Sequence, residues 1–231
     1  MPALELKDVA KTFVMHLQGG LKLPVLSDVS FKAEAGHCVV LTGPSGAGKS
    51  SILKLIYGNY RVDEGAILVR DGEAQVDLAT AAPRRILAVR QRALGYVTQF
   101  LRAVPRISAL DIVAEPLIAK GVARDEATSR AAAMLKRFNV PERLWSLPPA
   151  TFSGGEQQRI NLARGLLPEH PILLLDEPTA SLDAKNRAVV VDIVRERKSR
   201  GAAIVAIVHD EQVRDDIADV AVDVTRFATA A

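Results

Sequence analysis

Residues Gly43, Pro44, Ser45, Gly46, Ala47, Gly48, Lys49, Ser50 and Ser51 carry the spacing G-x-x-x-x-G-K-[ST]. That spacing belongs to a loop that cradles nucleotide phosphates. Its glycines let backbone N–H groups close on an anion, and a helix starting there adds partial positive charge. Lys49 is the residue to reach the β- and γ-phosphates, and Ser50 offers its hydroxyl to Mg²⁺. An acid pair, Asp176 and Glu177, ends the apolar run that starts at Ile172. Neighbouring side chains diverge at a strand end, so the two carboxylates can take different tasks. Asp176 is placed to hold Mg²⁺, directly or through water, and Glu177 to polarise an attacking water. The chemistry indicated is phosphoryl transfer from a nucleotide to water.

The stretch 151–164 reads TFSGGEQQRINLAR. Ser153 and Glu156 fit a capping box that opens a helix with Ile160, Ala163 and Leu167 on its buried side. A plain helix start is therefore one account of it. Capping leaves Gly154 and Gly155 unexplained, since each helical glycine costs about 1 kcal/mol relative to alanine. Close approach of an anion to the helix N-terminus would explain them. The P-loop already wraps one nucleotide's phosphates, so a second such helix end implies a site completed by another subunit.

The elements that must hold these residues follow from periodicity. The run 37–42 before the P-loop is an apolar strand, and 49–57 is a helix with Ile52, Leu55 and Ile56 on one face, capped at Gly58. Residues 4–42 read as short strands and turns, with Phe13 a core aromatic or a flat partner for a base. Residues 66–70 and 74–78 flank Asp71-Gly72 as a hairpin, and 94–98 is a strand ending at Gln99. From Ser108 the pattern turns helical. Ser108 and Asp111 cap one helix, Pro116 kinks it and Gly121 ends it, and 125–138 forms the next. Residues 171–176 and 202–208 are buried parallel strands on either side of an amphipathic helix, 184–200. Strands alternating with helices around a P-loop give an α/β fold with a largely parallel sheet.

The chain has 231 residues, 48% of them hydrophobic and 25% charged, with a net charge of +3. That is ordinary globular composition and no nucleic-acid footprint. The densest basic cluster, Arg84, Arg85, Arg90 and Arg92, reads as a solvated rim. The single cysteine, Cys38, lies in an apolar run and reads as core. No signal peptide or membrane-length apolar segment is evident, which suits a cytoplasmic protein whose membrane role, if any, is borrowed from another chain.

Together these segments resemble the ATP-binding cassette family over nearly the whole chain. Gly43–Ser51 looks like its Walker A motif, Gln99 its Q-loop and Phe152–Glu156 its signature. Ile172–Asp176 resembles Walker B, Ser181–Asp183 the D-loop and His209 the H-loop. Phe152, Glu156 and Phe13 stand where leucine, glutamine and tyrosine are more usual. On its own, His209 reads as a core or capping histidine. The resemblance implies an α/β P-loop NTPase with a parallel-sheet core, an antiparallel β subdomain and an inserted helical subdomain. The core lobe would be about 1–99 and 166–231, the helical lobe about 100–165. ATP and Mg²⁺ are the implied cofactors, with Glu177, His209 and Gln99 catalytic and Ser50, Gln99 and Asp176 holding the metal. Phe13 would stack on adenine, and Ser153, Gly154, Gly155, Glu156 and Asp183 would join the P-loop residues around ATP. The implied assembly is a homodimer or heterodimer with ATP between one partner's Walker A and the other's signature.

The linking segments Val25–Leu26, 99–110, Val140–Trp145 and Ala180–Asn186 resemble one branch, the L-type cassette subunit of the phosphonate carbon–phosphorus lyase system. That implies a non-transport role supporting formation of α-D-ribose 1-methylphosphonate 5-triphosphate. Its partners would be the lyase core complex and a companion cassette, the K subunit. The alternative is the nucleotide-binding subunit of a lipoprotein-export-like transporter with separate membrane subunits. A nucleic-acid cassette is disfavoured by the missing basic surface and aromatic platforms.

Overall fold

The computed structural model describes residues 1–15, 17, 19–101 and 106–228. The chain opens with β1 (Leu4–Met15), β2 (Leu21–Ala33) and β3 (Cys38–Thr42), followed by α1 (Lys49–Ile56). A hairpin, β4 (Glu64–Asp71) and β5 (Ala74–Asp77), leads to α2 (Pro83–Arg92) and β6 (Leu94–Val97). Three helices come next: α3 (Ala109–Ile118), α4 (Arg124–Arg137) and α5 (Gly154–Leu166). The last third alternates β7 (Ile172–Asp176), α6 (Ala184–Ser199), β8 (Ala203–Ile207), α7 (Glu211–Ile217) and β9 (Val220–Asp223).

Strands without a polar face must be covered on both sides, and these are. β6, β7, β8, β3 and β9 lie in that order in a parallel sheet. Period-2 alternation divides their side chains between two cores. Val97, Leu173, Leu175, Ile204 and Ala206 pack with α3 to α7 on one face. Leu41, Leu94, Leu174, Val205 and Ile207 pack on the other with α1 and a second, antiparallel sheet ordered β2-β1-β4-β5. Cys38 is fully buried, and burial pushes its thiol pKa up to about 12, so it is core as expected.

Residues 4–15 and 21–33 differ from the short strands read from the sequence. They form two long strands, whose pairing register shifts around Val9 and Lys11. Asp8 and Asp28 have φ of 48° and 56°, so alternation breaks there and mimics a strand end. Gly65 on β4 faces this bulge. With φ +87°, its added Cβ would stand 2.3 Å from the Asp8 carbonyl oxygen and 2.4 Å from that of Lys7. Gly65→Ala is expected to cost about 2–4 kcal/mol and lower Tm by about 5–15 °C, read by calorimetry.

The arginine cluster lies at the surface, with Arg84 and Arg92 exposed as expected, but three of its members are tied to neighbouring residues. Arg85 and Arg92 both reach Asp71, holding its carboxyl below the usual range. Arg90 donates to the Tyr57 carbonyl at 2.6 Å and to Asn59 at 3.2 Å. These bonds moor α2, a helix with Val89 as its buried residue. The sequence pattern missed it because it has almost no apolar stripe.

Candidate functional site

Parallel α/β sheets bind ligands beyond the carboxyl ends of their strands. Four candidate segments emerge there: the P-loop after β3, Gln99 after β6, Asp176–Glu177 at the end of β7 and His209 after β8. Register aligns them, with Asp176 beside Ile207 and Leu175 beside Val97. The sheet thus brings together Ser50 and Asp176, which are 126 positions apart.

Within the P-loop, Gly43, Gly46 and Gly48 have φ of 132°, 85° and 94°. Side chains rarely adopt those values. Gly48 has a second constraint, since a Cβ there would come within 2.8 Å of Leu26 Cδ2. Pro44, Ser45 and Gly46 are exposed, Ala47 and Ser51 half-buried. Lys49 is buried beneath the loop and donates to the Gly43 and Pro44 carbonyls, each at 2.8 Å. The first turn of α1 carries no acidic residue that would oppose an anion.

Asp176 and Glu177 diverge as the strand end requires. Ser50 Oγ donates to Asp176 Oδ1 at 3.0 Å, and the Tyr96 hydroxyl donates to Oδ2 at 3.0 Å. Glu177 has a left-handed backbone, φ 52°. Its Oε2 accepts from Gln99 Nε2 at 3.0 Å, and its Oε1 lies 2.9 Å from His209 Nε2. Two polar groups therefore hold the carboxylate that the sequence assigns to water activation. The bond from Gln99 engages its amide nitrogen and not its amide oxygen, the atom that could accept or ligate.

Magnesium takes oxygen ligands, usually one or two from protein together with substrate phosphates and waters. Ser50 Oγ and Asp176 Oδ1 are such a pair and fit the ion. No group of three or more His, Cys, Asp or Glu among the described residues could hold a metal unaided.

The signature segment shows both halves of the capping box. Glu156 N–H donates to Ser153 Oγ at 3.3 Å, and Ser153 N–H donates to Glu156 Oε2 at 2.9 Å. The Ser153 hydroxyl, then its backbone N–H, hold the Glu156 carboxyl below its usual pKa. Neither glycine answers a need of this chain. A Cβ on Gly154 would meet nothing within 4 Å among the described residues, and one on Gly155 would make ordinary contact with the Ser181 carbonyl at 3.6 Å. Gly154 is exposed and Gly155 half-buried.

Two expected site residues also make contacts within the chain. Asp183 caps α6, accepting from Asn186 N and Nδ2, each at 2.8 Å, which lowers its pKa. Phe13, half-buried on β1, meets Tyr60 edge-on at 5.1 Å, with Lys11 Nζ 5.4 Å from its ring centre. Motif reading missed Tyr96 and Tyr60. Strand parity could have found Tyr96, because its neighbour in register is Leu174, two residues before Asp176.

A cavity of about 790 Å³ lies apart from the P-loop, between α2, β6, α3 and α5, lined by residues such as Arg90, Tyr96, Lys120 and His170. Burial, then the charges of Lys120 and Arg197, push the His170 pKa down to about 4, so its ring is neutral near pH 7. No described helix is long and apolar enough to cross a membrane.

The sequence profile of the ABC transporter family matches residues 26–180. An uncharacterized ABC transporter ATP-binding protein of Thermotoga maritima is 34% identical, over 92% of this chain and 88% of that protein. The lipoprotein-releasing system ATP-binding protein LolD of Bordetella pertussis is 35% identical, over 92% of this chain and 89% of LolD. Among solved structures, the dimeric post-hydrolysis ATP-binding cassette MJ0796, bound to ADP and Pi, aligns with a TM-score of 0.85 at 29% identity. That alignment covers 96% of this chain and 95% of the other. Fold, motif order and sequence therefore agree that this chain belongs to the ABC transporter family.

Proposed function

We propose that the chain hydrolyses ATP as one half of a cassette dimer, homodimeric or mixed, with ATP enclosed between one partner's P-loop and the other's Ser153–Glu156. The observation that carries this is the unpacked glycine pair at the start of α5, two helix-weakening residues that the chain's own contacts do not require. ATP and Mg²⁺ are the ligands. Gly43–Ser51 wrap the phosphates, and Ser50, Asp176 and Gln99 hold the ion, which neutralises phosphate charge when bound. Glu177 polarises the attacking water, His209 donates to the γ-phosphate and Phe13 stacks on adenine. Asp183 lies in the loop that faces the partner. Closure follows ATP binding and opening follows hydrolysis, the lobe of residues 100–165 moving against the rest.

The finer assignment is to the carbon–phosphorus lyase system. There the chain would work in the cytoplasm with the lyase core complex and the K-type cassette, supporting formation of α-D-ribose 1-methylphosphonate 5-triphosphate. The linking segments support it, though Arg102–Pro105 within 99–110 lie outside the described residues. A second reading, a transporter's nucleotide-binding subunit paired with separate membrane subunits, is favoured by relatives such as LolD. In either case the surface after Gln99, starting at the exposed Phe100, is where partner movement would reach the site.

Affinity purification of the tagged chain from soluble extract and from detergent-solubilised membranes separates the two. Lyase subunits in the soluble fraction support the first reading. A polytopic membrane protein in the other fraction overturns it in favour of the second.

A further inference from the structure

We propose that Tyr96 is a positioning residue for the magnesium ligand Asp176, its hydroxyl fixing which carboxylate oxygen faces Ser50. The inference rests on the assignment of Ser50 and Asp176 to Mg²⁺. β6 and β7 pair with Tyr96 opposite Leu174, so Tyr96 and Asp176 project from the same face of the sheet. The hydroxyl donates to Oδ2 at 3.0 Å while Ser50 occupies Oδ1 at the same distance. One donor on each oxygen fixes the plane of the carboxylate.

Burial makes that second donor necessary. Asp176 is 5% exposed, so a bulk water cannot readily replace a lost partner. A buried, charged acceptor without a donor carries a large desolvation penalty. The carboxylate would then turn, and that movement disturbs the Oδ1–Ser50 pair where the ion would sit.

The ring itself is braced. Tyr57 packs against it at 5.1 Å with a 51° tilt, and the Arg90 guanidinium lies 4.5 Å from the centre of the Tyr57 ring. Arg90 is tied in turn to the Tyr57 carbonyl. A phenylalanine at position 96 would keep this packing and remove only the hydroxyl, so Tyr96→Phe isolates the hydrogen bond.

The test is an electron paramagnetic resonance titration of the full chain with Mn²⁺ in place of Mg²⁺, at saturating ATP. Tyr96→Phe is expected to weaken ATP-dependent Mn²⁺ binding by about 5–20-fold. ATP affinity in EDTA should stay at its wild-type value, which a general packing defect would not allow. Equal Mn²⁺ affinity in the two proteins overturns the proposal. So does an equal loss of ATP affinity in EDTA. Absence of ATP-dependent Mn²⁺ binding in the wild-type chain would instead remove the nucleotide assignment, and this proposal with it.

Discussion

Glu177→Gln is expected to bind ATP normally, accumulate a closed dimer and lose about 10²–10⁴-fold in turnover. The side chains are nearly isosteric, and the left-handed backbone at this position does not change with the substitution. What changes is the chemistry at two oxygens. The native carboxylate accepts from Gln99 on Oε2 and faces His209 on Oε1. An amide keeps one acceptor, toward Gln99, and turns the other oxygen into a donor toward His209, so no base remains to polarise water. Phosphate release in a single turnover measures the loss, and size-exclusion chromatography with ATP reports the trapped dimer. Wild-type turnover in this variant would remove Glu177 from its role.

Gly154→Ala is expected to leave the isolated chain as stable as before, or stabilise it by up to about 1 kcal/mol, while lowering ATPase activity about 10²-fold. The two effects part because they have different origins. Within the chain, a methyl group at Gly154 meets nothing within 4 Å among the described residues and removes a helical glycine. In a dimer, that methyl would sit between the helix N-terminus and a phosphate held by the partner. A misplacement of about 1 Å there is enough for the stated loss. ATP binding by the chain at low concentration should be unaffected, because the P-loop is untouched. Thermal melting, fluorescent-nucleotide binding and steady-state hydrolysis separate the three quantities. Full activity in Gly154→Ala would mean that no ligand approaches this helix end, and the enclosed-nucleotide arrangement would fail.

Much of the fold was legible where the signal is local. Residues 38–41 and 172–175 are apolar throughout, the pattern of strands covered on both faces. Ser108 caps α3 through Asp111 as its spacing predicts. What escaped has a local reason too. β1 and β2 were divided in reading because bulges interrupt alternation. α2 was missed because its arginines serve as ties to Asp71 and Tyr57 instead of forming one face of an amphipathic pattern. α7 is seven residues long, too short for helical periodicity to register.

For the site, the sequence by itself determined which residue types are present and in what order: the P-loop, the acid pair, the double glycine and the lone histidine. Those signals are covalent spacings, and no folding is needed to count them. Only the tertiary structure decided the partners. Gln99 and His209 lie 78 and 32 residues from Glu177, and Tyr96 lies 80 from Asp176. Those separations close because parallel strands β6, β7 and β8 end together in one register. A shift of one residue would turn Tyr96 to the opposite face of the sheet and leave Asp176 without its second donor.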